Sequence, residues 1–147
     1  MIESMSCCHA ITRVQNKLIG DPLELKMLEA TGYIFEDSDN SDKYDELVLA
    51  TVRAPGSDNV FGKDRQQSYI QQSIAQGNIP QTIGIIRRFE FSSKLQRMSV
   101  IVKNLQDNKF RIHVKGSPEK LRELCRADTI PKTFHKILDV YAKNGYR

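Results

Sequence analysis

The sequence predicts an α/β domain of the α+β type, an antiparallel sheet with helices packed against it. Three observations lead there. First, Arg97 to Leu105 and Lys109 to Lys115 read as two strands joined by a turn at Asp107-Asn108. Second, Phe110, Ile112 and Val114 alternate with Lys109, Arg111, His113 and Lys115. That places apolar groups on one strand face and polar groups on the other, the pattern of an antiparallel sheet with one buried and one wet face. Third, Asp21-Pro22 and Ser117-Pro118 are each a capping residue followed by a proline suited to the first helical position.

Taken in order, residues 1–10 are short and apolar enough for a helix. Ile11 to Ile19 reads as a strand or a hairpin turning at Asn16-Lys17. Asp21 caps the next helix, Pro22 opens it and Glu24 stands at its third position. Leu23, Met27 and Leu28, with Leu25 alongside, give that helix an apolar stripe, and Gly32 closes it. Tyr33 to Phe35 is a short strand. An acidic loop from Glu36 to Asp42 leads to a strand over Leu47 to Arg53. Residues 54–80 are rich in Gly, Ser, Asn and Gln and read as a flexible insert with a partial helix from Asp64 to Ala75. Thr82 to Phe91 is the next strand. The helix opened by Pro118 runs to about Cys125. A last one runs from Pro131 to about Lys143, with Phe134, Ile137, Leu138 and Tyr141 on one face and Asn144-Gly145 ending it.

The chain of 147 residues is long enough for one domain with a real core, spanning residues 1–147. No apolar run approaches the ~18–20 residues of a membrane helix. Met1-Ile2-Glu3 opens with an acid and no long apolar stretch follows, so no signal peptide is expected and the chain reads as soluble. A net charge of +4, from 22 basic and 18 acidic residues, fits an anionic partner but is too dispersed for a dedicated nucleic-acid binder. Cys7 and Cys8 are adjacent and Cys125 is distant, while His9, His113 and His135 are scattered. That spacing supports neither a disulfide framework nor a zinc site, and points to structural thiols in a reducing compartment.

The chemistry concentrates in two segments, Phe89 to Val100 and His113 to Glu119. Phe89 reads as core. Phe91, at the strand end beside Ser92-Ser93, fits core packing and a stacking platform equally. Stacking a base there is worth roughly 1–3 kcal/mol. Lys115 ends a strand just before Gly116 and a capped helix, which favours an anion site over a solvated lysine. Glu24 either completes a capping box with Asp21 or accepts a hydrogen bond from an exocyclic amine, and spacing leaves both open. Met98 reads as core or cleft lining, Arg97 and His113 as surface groups. Phosphate-binding glycine loops, dinucleotide fingerprints, nucleophile elbows and zinc-helix motifs are all missing from the sequence. A nucleotide held by its base and isolated charges would bind weakly, with Kd on the order of 0.1 mM to several mM, or about 4–5 kcal/mol.

These segments resemble the nucleotide-binding (N) domain of P-type cation-transporting ATPases. Lys115-Gly116-Ser117-Pro118-Glu119 is similar to the family's Lys-Gly-Ala/Ser-Pro-Glu motif, and Phe91, opening Phe-Ser-Ser-x-x-x-Arg-Met-Ser-Val, matches its adenine-stacking phenylalanine. Gly20 to Glu24 resembles its Gly-Asp/Glu-x-x-Glu segment, and Gly145-Tyr146-Arg147 its Gly-x-Arg. The four blocks occur in the expected order across nearly the whole chain. The wording is most similar to the type 5 subfamily, B branch, the endosomal and lysosomal polyamine-transporting members.

The resemblance implies a twisted, mainly antiparallel sheet flanked by helices. It implies an ATP site made of Glu24, Phe91, Gln96, Met98, Lys115, Gly116 and Arg147, with Mg2+ accompanying ATP in the full-length pump. Glu24 would lie on the adenine side, Lys115 at the pocket floor and Arg147 at the phosphates. Gln96 stands where calcium-pump members carry a lysine. The phosphorylation motif Asp-Lys-Thr-Gly, the actuator Thr-Gly-Glu and membrane helices do not occur in this chain. The implied partners are therefore the phosphorylation and actuator domains of the same polypeptide, with contact to the membrane only through a transmembrane domain, and a monomeric isolated domain. Two other readings of the residues stand beside it. A basic single-stranded nucleic-acid module would use Phe89 and Phe91 as platforms, with tight, salt-sensitive binding. A regulatory interaction domain would act through residues 54–80.

Overall fold

The computed structural model describes residues 1–37, 47–54, 76 and 82–146. The insert expected over 54–80, apart from Ala54, which is buried in the core, and Gln76, lies outside the described residues together with its partial helix and most of the acidic loop. The order is α1 (Ile2–Cys7), β1 (Thr12–Val14), β2 (Lys17–Ile19), α2 (Pro22–Thr31), β3 (Ile34–Asp37), β4 (Ala50–Arg53), β5 (Thr82–Ser92), β6 (Arg97–Asn104) and β7 (Phe110–Gly116). Then follow α3 (Pro118–Leu124), a single 3-10 turn (Ala127–Thr129) and α4 (Phe134–Lys143). β3 to β7 form a five-stranded sheet in sequential order, antiparallel throughout, while β1 and β2 form a separate hairpin.

Local chemistry accounts for the helix ends. The Asp21 carboxylate accepts a hydrogen bond from the Leu23 N–H at 2.8 Å, Pro22 takes the first helical position, and Gly32 leaves the helix at φ 67°. A residue with a Cβ resists that left-handed conformation. Ser117 caps α3 by accepting from the Lys120 N–H at 3.3 Å. The first hairpin turns one residue earlier than the sequence suggests, at Gln15-Asn16 with φ of 49° and 63°. Two successive left-handed residues match the right-handed twist of the flanking strands. β4 is shorter than expected, because Leu47 to Leu49 precede the ladder.

The core lies on one face of the sheet, under α1 and α2. Phe35, Val52, Ile83, Ile85, Val100 and Val102 are buried there together with Cys7, Cys8 and Ile11. Register then decides which face of β7 points inward. Met98, Val100 and Val102 of β6 stand opposite Lys115, His113 and Arg111, and residues directly opposite share a face. The polar face of β7 is therefore the inner one. Phe110 and Ile112, expected in the core, are 59% and 67% exposed on the other face. Phe89, also expected in the core, is exposed there too, with the Arg87 guanidinium 4.9 Å from its ring centre. α4 forms from Phe134 rather than Pro131, and none of its residues is buried.

The inward polar side chains are paired. Arg111 Nη1 donates to Glu3 Oε2 at 2.6 Å, and His113 Nε2 lies 3.2 Å from Glu3 Oε1. Burial by itself raises the Glu3 pKa, but the hydrogen bonds and charges of His113 and Arg111 outweigh it and hold the carboxyl below its ordinary value. His113 is thus a half-buried structural partner, not the surface histidine the sequence suggested.

His9 is buried against the edge of Phe35, with Nε2 2.8 Å from the Ser6 carbonyl and Nδ1 accepting from the Ile11 N–H at 3.3 Å. Burial pushes its pKa down to about 4. Its ordinary value is about 6.5, so between those limits the unfolded chain binds more protons than the folded one. Stability from the neutral ring is complete above about pH 6.5 and is lost as pH falls towards 4, by roughly 3 kcal/mol in all. Urea denaturation across that window should show this slope, and His9→Gln should flatten it. An unchanged slope in the variant would assign the acid sensitivity to other groups.

Candidate functional site

Where α2 meets the ends of β5, β6 and β7, an open cleft of about 680 Å³ forms. The N-terminal turns of α2 supply one wall, chiefly Leu23, Glu24 and Met27. Glu90 and Phe91 at the end of β5 supply the other. Met98 of β6 lies between them, and Lys115 with Gly116 closes the floor. Ala10, on the link between α1 and β1, completes the rim.

Each wall has a local cause. Between Phe89 and Ser92 the β5–β6 register shifts, and such a bulge re-aims the side chains beside it. Phe91 is 62% exposed and lines the cleft, so of the two readings left open by sequence, burial in the core is excluded. Met98 is at once core and cleft lining, with 3% of its surface exposed. Gly116 is required by crowding rather than by its φ. A Cβ there would lie 2.4 Å from the Gln96 carbonyl oxygen and 2.7 Å from Arg97 Cβ. That close crossing lets the Ser117 N–H donate to the Gln96 carbonyl at 3.0 Å, which ties the start of α3 to the β5–β6 turn.

The polar centre is an ion pair. Lys115 Nζ donates to Glu24 Oε1 at 2.6 Å, and the second oxygen of Glu24 accepts from the Ala10 N–H at 2.9 Å. The side chains of Glu24 and Lys115 are 12% and 28% exposed. Glu24 therefore makes no capping box. It crosses to β7 and to the α1–β1 link, while Asp21 caps α2 by itself. Lys115, in turn, is no solvated strand-end lysine. Behind the cleft, burial lowers the Arg88 pKa against the opposing influence of Asp37, Glu90 and Glu24. The Arg88 guanidinium lies 5.6 Å from the centre of the Phe35 ring.

Of the residues expected at a site, Glu24, Phe91, Met98, Lys115 and Gly116 come together around the cleft. Gln96 does not line it. Its backbone is at φ 50°, and its side-chain oxygen lies 3.4 Å from Ser117 Oγ, so it shapes the turn beside the floor. Arg147 lies outside the described residues. Leu23, Met27, Glu90 and Ala10 were not singled out from the sequence. Leu23 belongs to the apolar stripe expected of α2, and in the structure it is 67% exposed at the cleft. An apolar residue in the first turn of a helix is the signal that marks it; nothing in the sequence marks Ala10.

Comparison with known proteins gives a consistent picture. The family model described as P-type ATPase, cytoplasmic domain N, matches residues 4–139. The chain is 35% identical over 157 residues to Polyamine-transporting ATPase 13A3 of Homo sapiens, covering 99% of this chain and 12% of that protein. It is 35% identical over 148 residues to human Polyamine-transporting ATPase 13A2, covering 100% of this chain and 12% of that protein. It is 34% identical over 153 residues to Vacuolar cation-transporting ATPase YPK9 of Saccharomyces cerevisiae, covering 98% of this chain and 10% of that protein. The chain thus spans about a tenth of the length of these relatives.

The Glu24–Lys115 pair should be coupled in stability as well as in geometry. A double-mutant cycle with Glu24→Ala and Lys115→Ala, read by urea denaturation, should give a coupling of about 1–2 kcal/mol. Additivity within about 0.3 kcal/mol would mean that the pair is not formed in solution. Gly116→Ala should cost about 1–3 kcal/mol through overpacking against the β5–β6 turn, seen as a lower urea midpoint.

Proposed function

The chain belongs to the P-type ATPase cytoplasmic domain N family, and on that premise we propose that it is the ATP-holding domain of a type 13A (type 5, B branch) cation pump. The observation that carries this reading is the cleft itself. An exposed aromatic ring, Phe91, faces apolar walls over a floor holding one ammonium and one carboxylate. A purine base stacks on such a ring for roughly 1–3 kcal/mol, Met98 and Met27 pack against its edges, and the Glu24–Lys115 pair gives the floor polarity for a base edge. Arg147 would serve the phosphates.

In this reading the domain performs no bond-making of its own. It holds ATP, with Mg2+, and presents the γ-phosphate to an aspartate on a separate phosphorylation domain that this chain does not contain. Transfer then depends on positioning by domain closure. Gly116 and the bulge near Phe91 serve that task by keeping the floor and the aromatic wall rigid. The names of the 13A relatives support polyamine as the cargo of the full pump. The family model's description as a cytoplasmic domain and the vacuolar name of the yeast relative are what support a position on the cytosolic face of an endosomal or lysosomal membrane.

ATP titrated into the chain, followed by backbone amide NMR shifts, tests the site directly. Shifts should cluster around Phe91, Met98 and Lys115. Phe91→Ala should weaken binding by about 5- to 100-fold with little change in Tm, because the ring is largely exposed. Unchanged affinity in that variant, or shifts clustered elsewhere, would remove the site from this cleft.

A further inference from the structure

We infer that the sheet face opposite the core, across β5, β6 and β7, is a docking surface for an acidic amphipathic helix of another protein. The inference is independent of the nucleotide reading. Strand register lays this face out in rows. Lys103 of β6 stands opposite Phe110 of β7. The next row is Arg87, Ile101 and Ile112, and the one after it Phe89, Ser99 and Val114. Residues directly opposite share a face. On β6 these positions alternate with Met98, Val100 and Val102, which are buried in the core, so the rows point away from it.

An antiparallel sheet can leave one face to water, and such a face is ordinarily polar. This one is apolar along its edge. Phe89, Phe110 and Ile112 are 43%, 59% and 67% exposed, and they adjoin Val114 and Ile101. The two helices that follow β7, α3 and α4, bury none of their own residues. A contiguous exposed apolar patch rimmed by polar groups marks an interaction site.

The charges choose the occupant. Arg87 and Lys103 are basic, and so is Arg97 in the row beyond Phe89. No acid stands in these rows. Glu36, at the far side of the same face, is held by Arg53 at 2.9 Å, and Glu90 lines the cleft. Neither Arg87 nor Arg97 forms an ion pair with another of the described residues. Three strands make a floor roughly 10 Å wide, which matches the diameter of one helix. An apolar stripe laid there covers Ile101, Ile112 and Val114, while carboxylates beside the stripe reach Arg87 and Lys103. A second copy of the chain would set base against base. The net charge is +4, and α4 carries Lys136 and Lys143 against Asp139. A nucleic acid fits less well. The Arg87 guanidinium lies 4.9 Å from the centre of the Phe89 ring, and Lys103 Nζ lies 5.8 Å from that of Phe110. Cations already cover the ring faces on which bases would stack.

The test titrates the wild-type chain with two synthetic helical peptides that share a leucine stripe, one flanked by glutamates and the other by lysines. A thymidine oligonucleotide is the third probe, and backbone amide shifts are the readout. The glutamate peptide should shift amides of β5, β6 and β7 with Kd on the order of 10–100 μM. It should bind at least about tenfold tighter than the lysine peptide and weaken several-fold in about 1 M salt. Arg87→Glu should cut that preference to about threefold or less. Ile112→Ser, at a residue 67% exposed, should weaken the glutamate peptide about tenfold with Tm unchanged. Equal binding of the two peptides, or no shifts in these strands, would overturn the inference. So would tighter binding of the oligonucleotide to the same strands. Sedimentation closes the remaining case: a wild-type dimer that Ile112→Ser makes monomeric would give the face to a second copy and overturn the acidic partner.

Discussion

Two helix carboxylates, Glu3 on α1 and Glu24 on α2, neutralise the inner face of β7. That face carries Arg111, His113 and Lys115, and it points at the core because β6 presents Met98, Val100 and Val102 opposite those residues. Unpaired, such groups could not sit beneath two helices. Paired, they clamp both helices to the edge of the sheet. The cleft exists because of this clamp. It fixes the N-terminal turn of α2 across the cleft from the ends of β5 and β7, and through Ala10 it ties the α1–β1 link to the same carboxylate.

The clamp also sets the character of the site. Its floor carries a lysine whose charge is met by a carboxylate of the same fold, Glu24. Rigidity comes from elsewhere: the close crossing at Gly116 leaves no room to shift, and the bulge before Ser92 aims Phe91 into the opening. The opposite face of the sheet, with Phe110, Ile112 and Val114 exposed alongside Arg87 and Lys103 over their aromatic neighbours, stands apart from this chemistry.

Much of this was legible in the chain. Asp21-Pro22 and Ser117-Pro118 mark helix starts because capping and the fixed φ of proline act within a few residues. Strand alternation and the Asp107-Asn108 turn mark β6 and β7 for the same reason. Phe91, Met98, Lys115 and Gly116 were legible as a group through their motif context. The orientation of β7 was not. Alternation shows that apolar and polar groups lie on opposite faces, and hydrophobicity alone points the apolar face inward. The register with β6 and two distant carboxylates reversed it. Phe89 was misplaced with it. Glu24 was legible as a candidate, but not as the partner of Lys115, because those residues meet only when the helix lies across the strand ends.

The amino-acid sequence by itself determined the local elements, the α+β class and the kinship of the chain, since each follows from short-range capping, periodicity and motif wording. Tertiary structure alone decided which face of the sheet became the core, which charges are spent on one another and which remain at the cleft mouth. Those outcomes depend on register and on pairings between residues as far apart as Glu3 with Arg111 and Glu24 with Lys115. Electrostatic pairing of that kind is a property of distance in space, and a linear pattern carries no distance beyond its own element.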